Sequence, residues 1–161
     1  MSIFHRYNST IHGNYRIAYL RSGLITGVLL AAGNMALNSQ HLSLVADYST
    51  LLLDILLIVA VILFTAYYRN SLPDHKITLK EAMLFGIGTA AVAALLYALL
   101  LLVLQTTIYN PQPLDSDYPR RYWAAWNAIL ALLQTLLLGS FAAFIAAIFL
   151  RNEKSEIHHK K

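Results

Sequence analysis

Cysteine is absent from all 161 residues, which removes disulfides, thiol catalysis and thiolate metal sites together and leaves the redox compartment open. Charge is nearly as scarce. Asp, Glu, Lys and Arg make up 12% of the chain, about half the share of an ordinary soluble domain. None of them occurs between Arg21 and Asp47, between Glu81 and Asp115, or between Arg121 and Arg151. There is no phosphate-cradling glycine loop, because Gly86-Ile87-Gly88 lies inside an apolar run. Neither an activated nucleophile nor a His/Glu metal motif is present. No enzyme activity, metal or cofactor is expected.

What fills the uncharged stretches is hydrophobic, 58% of the chain. Crossing the ~30 Å hydrocarbon layer takes about 20 apolar residues at ~1.5 Å each, and each gap is long enough. A soluble core helix would show a polar face at every turn, whereas Leu95–Leu104 offers only Tyr97. The class is all-α, an integral membrane four-helix bundle, with spans near residues 17–37, 45–68, 82–109 and 122–150. Residues 1–16 and 151–161 flank it as polar segments. The first sixteen residues and the poor cleavage site at Ala36-Leu37-Asn38 argue against a signal peptide.

The first span is the weakest, with Gly23, Gly27, Gly33 and Asn34 inside it and Arg21 near its start, where the guanidinium can snorkel to the headgroups. The second contains Asp54. A central Asp costs ~2.5–3.5 kcal/mol on the insertion scale, and each Leu, Ile, Val or Phe returns ~0.3–0.6 kcal/mol. Residues 51–66 hold twelve such residues, so the span inserts. Pro73-Asp74 breaks the next connection, and Thr78-Leu79-Lys80-Glu81 forms a capping box that starts the third helix near Thr78. Asn110-Pro111-Gln112-Pro113 stops it, and Tyr122, Trp123 and Trp126 open the fourth span.

Orientation follows from basic residues. Ten lie on one side (Arg6, Arg16, Arg21, Arg69, Lys76, Lys80, Arg151, Lys154, Lys160 and Lys161) and two, Arg120 and Arg121, on the other. The expectation is both termini in the cytoplasm. Tyr109, Tyr122, Trp123 and Trp126 then form an outer aromatic belt, and Tyr15, Tyr19, Tyr67 and Tyr68 an inner one. The Asn8-Ser9-Thr10 glycosylation match falls on the cytoplasmic side and is discarded. The net charge of +4 sits in loops and tails, so no nucleic-acid partner is expected. The expected partners are the lipid bilayer and, through helix faces, a second copy or other membrane proteins.

From Tyr67-Tyr68-Arg69 through Ile77-Thr78-Leu79-Lys80-Glu81-Ala82 to Gly86, the chain resembles the domain of unknown function 4199, a four-helix membrane family common in Bacteroidota-type bacteria. The resemblance covers most of residues 17–150. This chain has Leu79 where the family usually has an aromatic residue, and a longer N-terminal segment. The resemblance implies the topology and a bacterial inner membrane, and it carries over no catalytic residue.

Asp54 is the leading site candidate, because an ionisable group within a span is a functional-site hypothesis by default. Ser43, Asp47, Thr50 and Asp54 share one helix face, and Asn34, Gln105, Asn127 and Gln134 fall at comparable depths on the other helices. Asp54 is expected to meet one or more of them, either as a helix-helix hydrogen bond or in an outward-opening polar pocket. No basic residue within a span stands ready to neutralise it. Small-residue stripes run from Gly23 through Gly27 to Ala31, from Gly86 through Ala90 and Ala93 to Tyr97, and from Thr135 through Gly139 and Ala143 to Ala146. Such stripes let helix backbones approach, here within the bundle, with a homodimer through Gly23 and Gly27 as the alternative. The Asp115–Arg121 loop is read as internally paired or capping the fourth helix, and His158-His159 as a solvated tail. The leading functional expectation is a structural or partner-binding membrane subunit; the alternative is a small proton- or solute-linked transport or sensing protein centred on Asp54.

Overall fold

A computed structural model describes residues 3–39, 43–72, 76–108 and 119–150, with side chains placed from Tyr15 in the first segment and Ser49 in the second. Four helices account for these segments: α1 (Ile3–Ser39), α2 (Ser43–Ser71), α3 (Leu79–Thr107) and α4 (Arg120–Leu150). All four are long and apolar enough to cross a bilayer, over Tyr15–Leu37, Ser49–Ser71, Leu79–Thr107 and Arg121–Leu150. The protein is a multi-pass membrane protein. The helical backbone of α1 reaches back to Ile3, so part of the polar segment before the first span continues the same helix.

The start of α3 follows its sequence signal. Glu81 N–H donates to Thr78 Oγ1 at 3.2 Å, and Thr78 N–H donates to Glu81 Oε2 at 3.1 Å. This reciprocal box satisfies two backbone donors that a helix start otherwise leaves unpaired. At the other end, the Ile108 N–H closes on the Leu104 carbonyl at 2.8 Å.

The packing centres on α3, which lies against α4 and α1 along most of its length. α2 completes the ring against α4 and α1 and touches α3 least. The buried faces are built from small residues: Ala82, Ala90, Ala93, Ala94, Ala142, Ala143, Ala146 and Ala147 are all at most 1% exposed. Large apolar side chains such as Leu63, Leu99, Leu137 and Phe149 point outward. That inversion suits a lipid solvent, which attracts leucine as well as a protein core does and leaves close backbone contact to hold the helices together.

Two glycines carry the α3–α4 contact. A methyl added at Gly86 would land 2.5 Å from the Ala143 Cβ, and one at Gly139 would overlap the Ala90 Cβ. On the opposite side of α3, Gly23 sits against Thr89 and Val92, and Gly27 against Ala93 and Leu96. The Gly23/Gly27 face is therefore covered by α3 of the same chain. The homodimer expected as an alternative through that stripe loses its surface, because the backbone approach that glycine permits is already used.

The inner aromatic belt resolves differently from its expectation. Tyr67 is 75% exposed and suits an interfacial position. Tyr68 turns inward and stacks on Phe85 with ring centroids 4.4 Å apart, while Tyr15 meets both Tyr68 and Tyr19 edge-on. Adjacent residues on a helix point ~100° apart, and here that rotation carries Tyr67 to the outer face and Tyr68 to the inner one. Tyr68, Phe85, Ile77, Ala82 and Ala147 close this end of the bundle, beside the 72–78 connection.

These contacts rank the glycines. Gly86→Ala and Gly139→Ala should each lower stability in detergent by ~1–3 kcal/mol, the usual range for overpacking. Gly33→Ala meets mainly the flexible tip of Leu53 and should change it far less. Unfolding midpoints of the three purified variants check the order; equal losses would contradict it.

Candidate functional site

Eight polar side chains of the spans gather on the side of the bundle that α2 closes. Two hydrogen-bonded pairs define the site. Gln134 on α4 donates its Nε2 to both carboxylate oxygens of Asp54 on α2, at 2.9 Å each. Asn34 on α1 donates its Nδ2 to the Tyr97 hydroxyl oxygen on α3 at 3.0 Å. Each pair joins two different helices, so between them the four helices are tied by polar contacts.

Between the pairs lies a cavity of about 270 Å³. Asn34, Ser49, Thr50, Asp54, Tyr97, Asn127, Gln134 and Thr135 supply its polar groups, and Leu30, Leu53, Leu57, Leu130 and Ala131 its apolar walls. It runs from Ser49 and Asn127, near the ends of α2 and α4 remote from the 72–78 connection, inward to Leu57 and Thr135. The volume holds several water molecules, and its lining offers each the polar partners that a buried water needs. Tyr97 is buried, Asp54 is half-buried and Gln134 is exposed. The Asp54–Gln134 pair thus stands at the open seam between α2 and α4, and the Asn34–Tyr97 pair on the sealed side.

Among the described residues, Asp54 is the one carboxylate in this lining, and no Lys, Arg or His lines it. Gln134 satisfies it only in part. A carboxylate accepts at about four lone-pair sites, and one amide nitrogen shared between two oxygens leaves capacity toward the cavity.

Of the five residues expected to form the polar site, the structure gathers Asp54, Asn34, Asn127 and Gln134 around one cavity. Gln105 is not among the lining residues. It lies eight positions beyond Tyr97 on α3, ~12 Å along the axis, near the helix end. Tyr97 was legible only as the last residue of a small-residue stripe. That spacing nevertheless placed it on the inward face of α3, where its hydroxyl meets Asn34. Thr50 lines the cavity as the face shared with Asp54 requires. The side chains of Ser43 and Asp47, the Asp115–Tyr118 segment and the His158-His159 tail lie outside the described residues, and Arg121 is exposed.

The two cross-links are separable by mutation. Tyr97→Phe and Asn34→Ala should each destabilise the bundle by ~0.6–2 kcal/mol, and the double variant should cost less than their sum. A double-mutant cycle on detergent unfolding measures the coupling; strict additivity would mean that the pair does not act together.

No curated protein and no solved structure matches the chain. A family model described as protein of unknown function (DUF4199) matches residues 21–119, from the apolar part of α1 through α3 to the start of α4. That match spans well over half of the 161 residues, and the chain belongs to this DUF4199 family.

Proposed function

We propose that this protein binds a small polar solute or a proton in the Asp54 cavity, as a small transport or sensing protein of the bacterial inner membrane with both termini in the cytoplasm. The observation that carries the reading is the cavity itself. A carboxylate whose only purpose is to tie two helices needs no space beside it, and apolar spans fill such space with leucine at little cost. Here about 270 Å³ lined by eight polar side chains adjoins Asp54. An ionisable group facing a polar cavity within a span is the arrangement that solute and proton pathways use. The reading is of binding, because the lining combines one carboxylate with neutral polar groups and leucines.

The orientation rests on the ten-to-two distribution of basic residues. It makes the cavity mouth near Ser49 and Asn127 face outward. With no native cysteine, single cysteines report sidedness cleanly. Lys76→Cys should resist an impermeant maleimide in intact cells, and Pro119→Cys should react; the reverse pattern would invert the topology.

A second reading, a structural or partner-binding subunit, is favoured by the Gln134 contact to both Asp54 oxygens, a geometry that also serves helix association. Asp54→Asn separates the two. It keeps hydrogen-bonding capacity and removes the charge and its titration. The binding reading predicts that Asp54→Asn folds at wild-type yield and loses the pH-dependent change in Trp and Tyr fluorescence of the reconstituted protein, while Asp54→Leu lowers folded yield. If Asp54→Asn keeps that pH dependence, and Asp54→Leu alone is impaired, Asp54 is a packing residue.

A further inference from the structure

We propose that the ligand of the cavity is a small organic ammonium ion with a short apolar tail; this rests on the reading that the Asp54 cavity is a binding site. The charge of the lining sets the sign. Among the described residues Asp54 is its one carboxylate and no basic side chain lines it from any of the four helices: besides Asp54, α2 contributes hydroxyls and leucines, α1 Leu30 and Asn34, α3 Tyr97, and α4 Asn127, Gln134, Thr135 and apolar groups. An anion would meet an acidic group with nothing to offset it, in a region where charges are weakly screened.

The remaining lining narrows the class of cation. Ca²⁺ takes six to eight oxygen ligands and Mg²⁺ a near-ideal octahedron, whereas Asp54 is the single carboxylate and leucines form much of the wall. An ammonium group needs fewer, directional acceptors. The Asp54 oxygens supply the charged one, and the Ser49, Thr50 and Thr135 hydroxyls the neutral ones. Tyr97 adds an aromatic ring, which attracts cations through its quadrupole. Leu30, Leu53 and Leu57 then face whatever carbon the ammonium bears. At about 270 Å³ the space falls just below the ~300–1,000 Å³ of sites for drug-sized ligands, which restricts the tail to a few carbons.

Three probes with the same four-carbon chain test this: n-butylammonium, butan-1-ol and butyrate. Saturation-transfer NMR on the full chain in lipid nanodiscs, with empty nanodiscs subtracted, reads binding directly. Two variants accompany the wild type. Asp54→Asn removes the charge while retaining an amide partner for Gln134. Ala131→Leu fills the cavity and keeps the charge. The expected result is saturable n-butylammonium binding, weakened at least about tenfold by Asp54→Asn and abolished by Ala131→Leu, with little binding of butan-1-ol or butyrate. If butan-1-ol or butyrate binds as well as the amine and Ala131→Leu still blocks it, the cavity is a binding site and its ligand is not a cation. If no probe binds, or if Ala131→Leu leaves binding unchanged, the ammonium proposal and the solute-binding reading beneath it both fail. A surviving pH response of Asp54 would then leave only the proton.

Discussion

The close approach of α3 to two neighbours is the contact on which this bundle depends. Lipid solvates leucine and valine as well as a protein core does, so apolar burial does little to bring these helices together. Backbone proximity and dense van der Waals contact do it instead. Gly86 and Gly139 interlock with Ala143 and Ala90 across the α3–α4 seam. On the other side of α3, Gly23 and Gly27 let α1 settle onto Thr89 and Ala93. Each seam needs a small residue at almost every turn, and α3 carries two such faces.

α2 follows a different rule. It contains no glycine, and it packs against α4 and α1 while touching α3 least. The space beside it carries a polar lining. Asp54 and Thr50 on α2 face Asn127, Gln134 and Thr135 on α4, with Asn34 and Tyr97 on the far wall. Where the helices interlock, buried hydroxyls turn to their own backbone, as those of Thr26 and Thr65 do to Ser22 and Val61, or stay unbonded, as that of Thr89 does. Where they do not, a polar lining can persist inside the membrane.

Much of this was legible in the sequence, for identifiable reasons. Charge-free runs of membrane-spanning length have few alternatives to helices in lipid, because every backbone polar group must be paired internally. The capping box named the start of α3 to within a residue, since Thr78 and Glu81 act locally. The small-residue stripes marked faces that pack, and their period is fixed by the helix. Partnership was harder. Periodicity says which way a residue faces along its own helix, and says little about which helix it meets. Hence a dimer face stays open as an alternative for Gly23 and Gly27, and Gln105 reads as a neighbour of Asp54. The sequence does not mark Tyr97 as a partner of Asn34, because a lone tyrosine in an apolar run does not announce what it meets. Height in the membrane makes Tyr68 and Tyr15 look interfacial, although rotation about the helix axis, not height, decides between lipid and core.

The central claim is that the bundle is tightly closed along α3 and holds a water-filled polar cavity beside α2. Single-cysteine accessibility in membranes addresses both halves, on a background free of native thiols. Thr135→Cys and Asn127→Cys line the cavity, Ala90→Cys lies in the closed α3–α4 seam, and Leu99→Cys faces lipid. A water-soluble cationic thiosulfonate should modify the two cavity positions quickly and leave the seam and lipid positions unmodified. Modification of Ala90→Cys at a rate like that of Thr135→Cys, or protection of both cavity positions, would contradict the account.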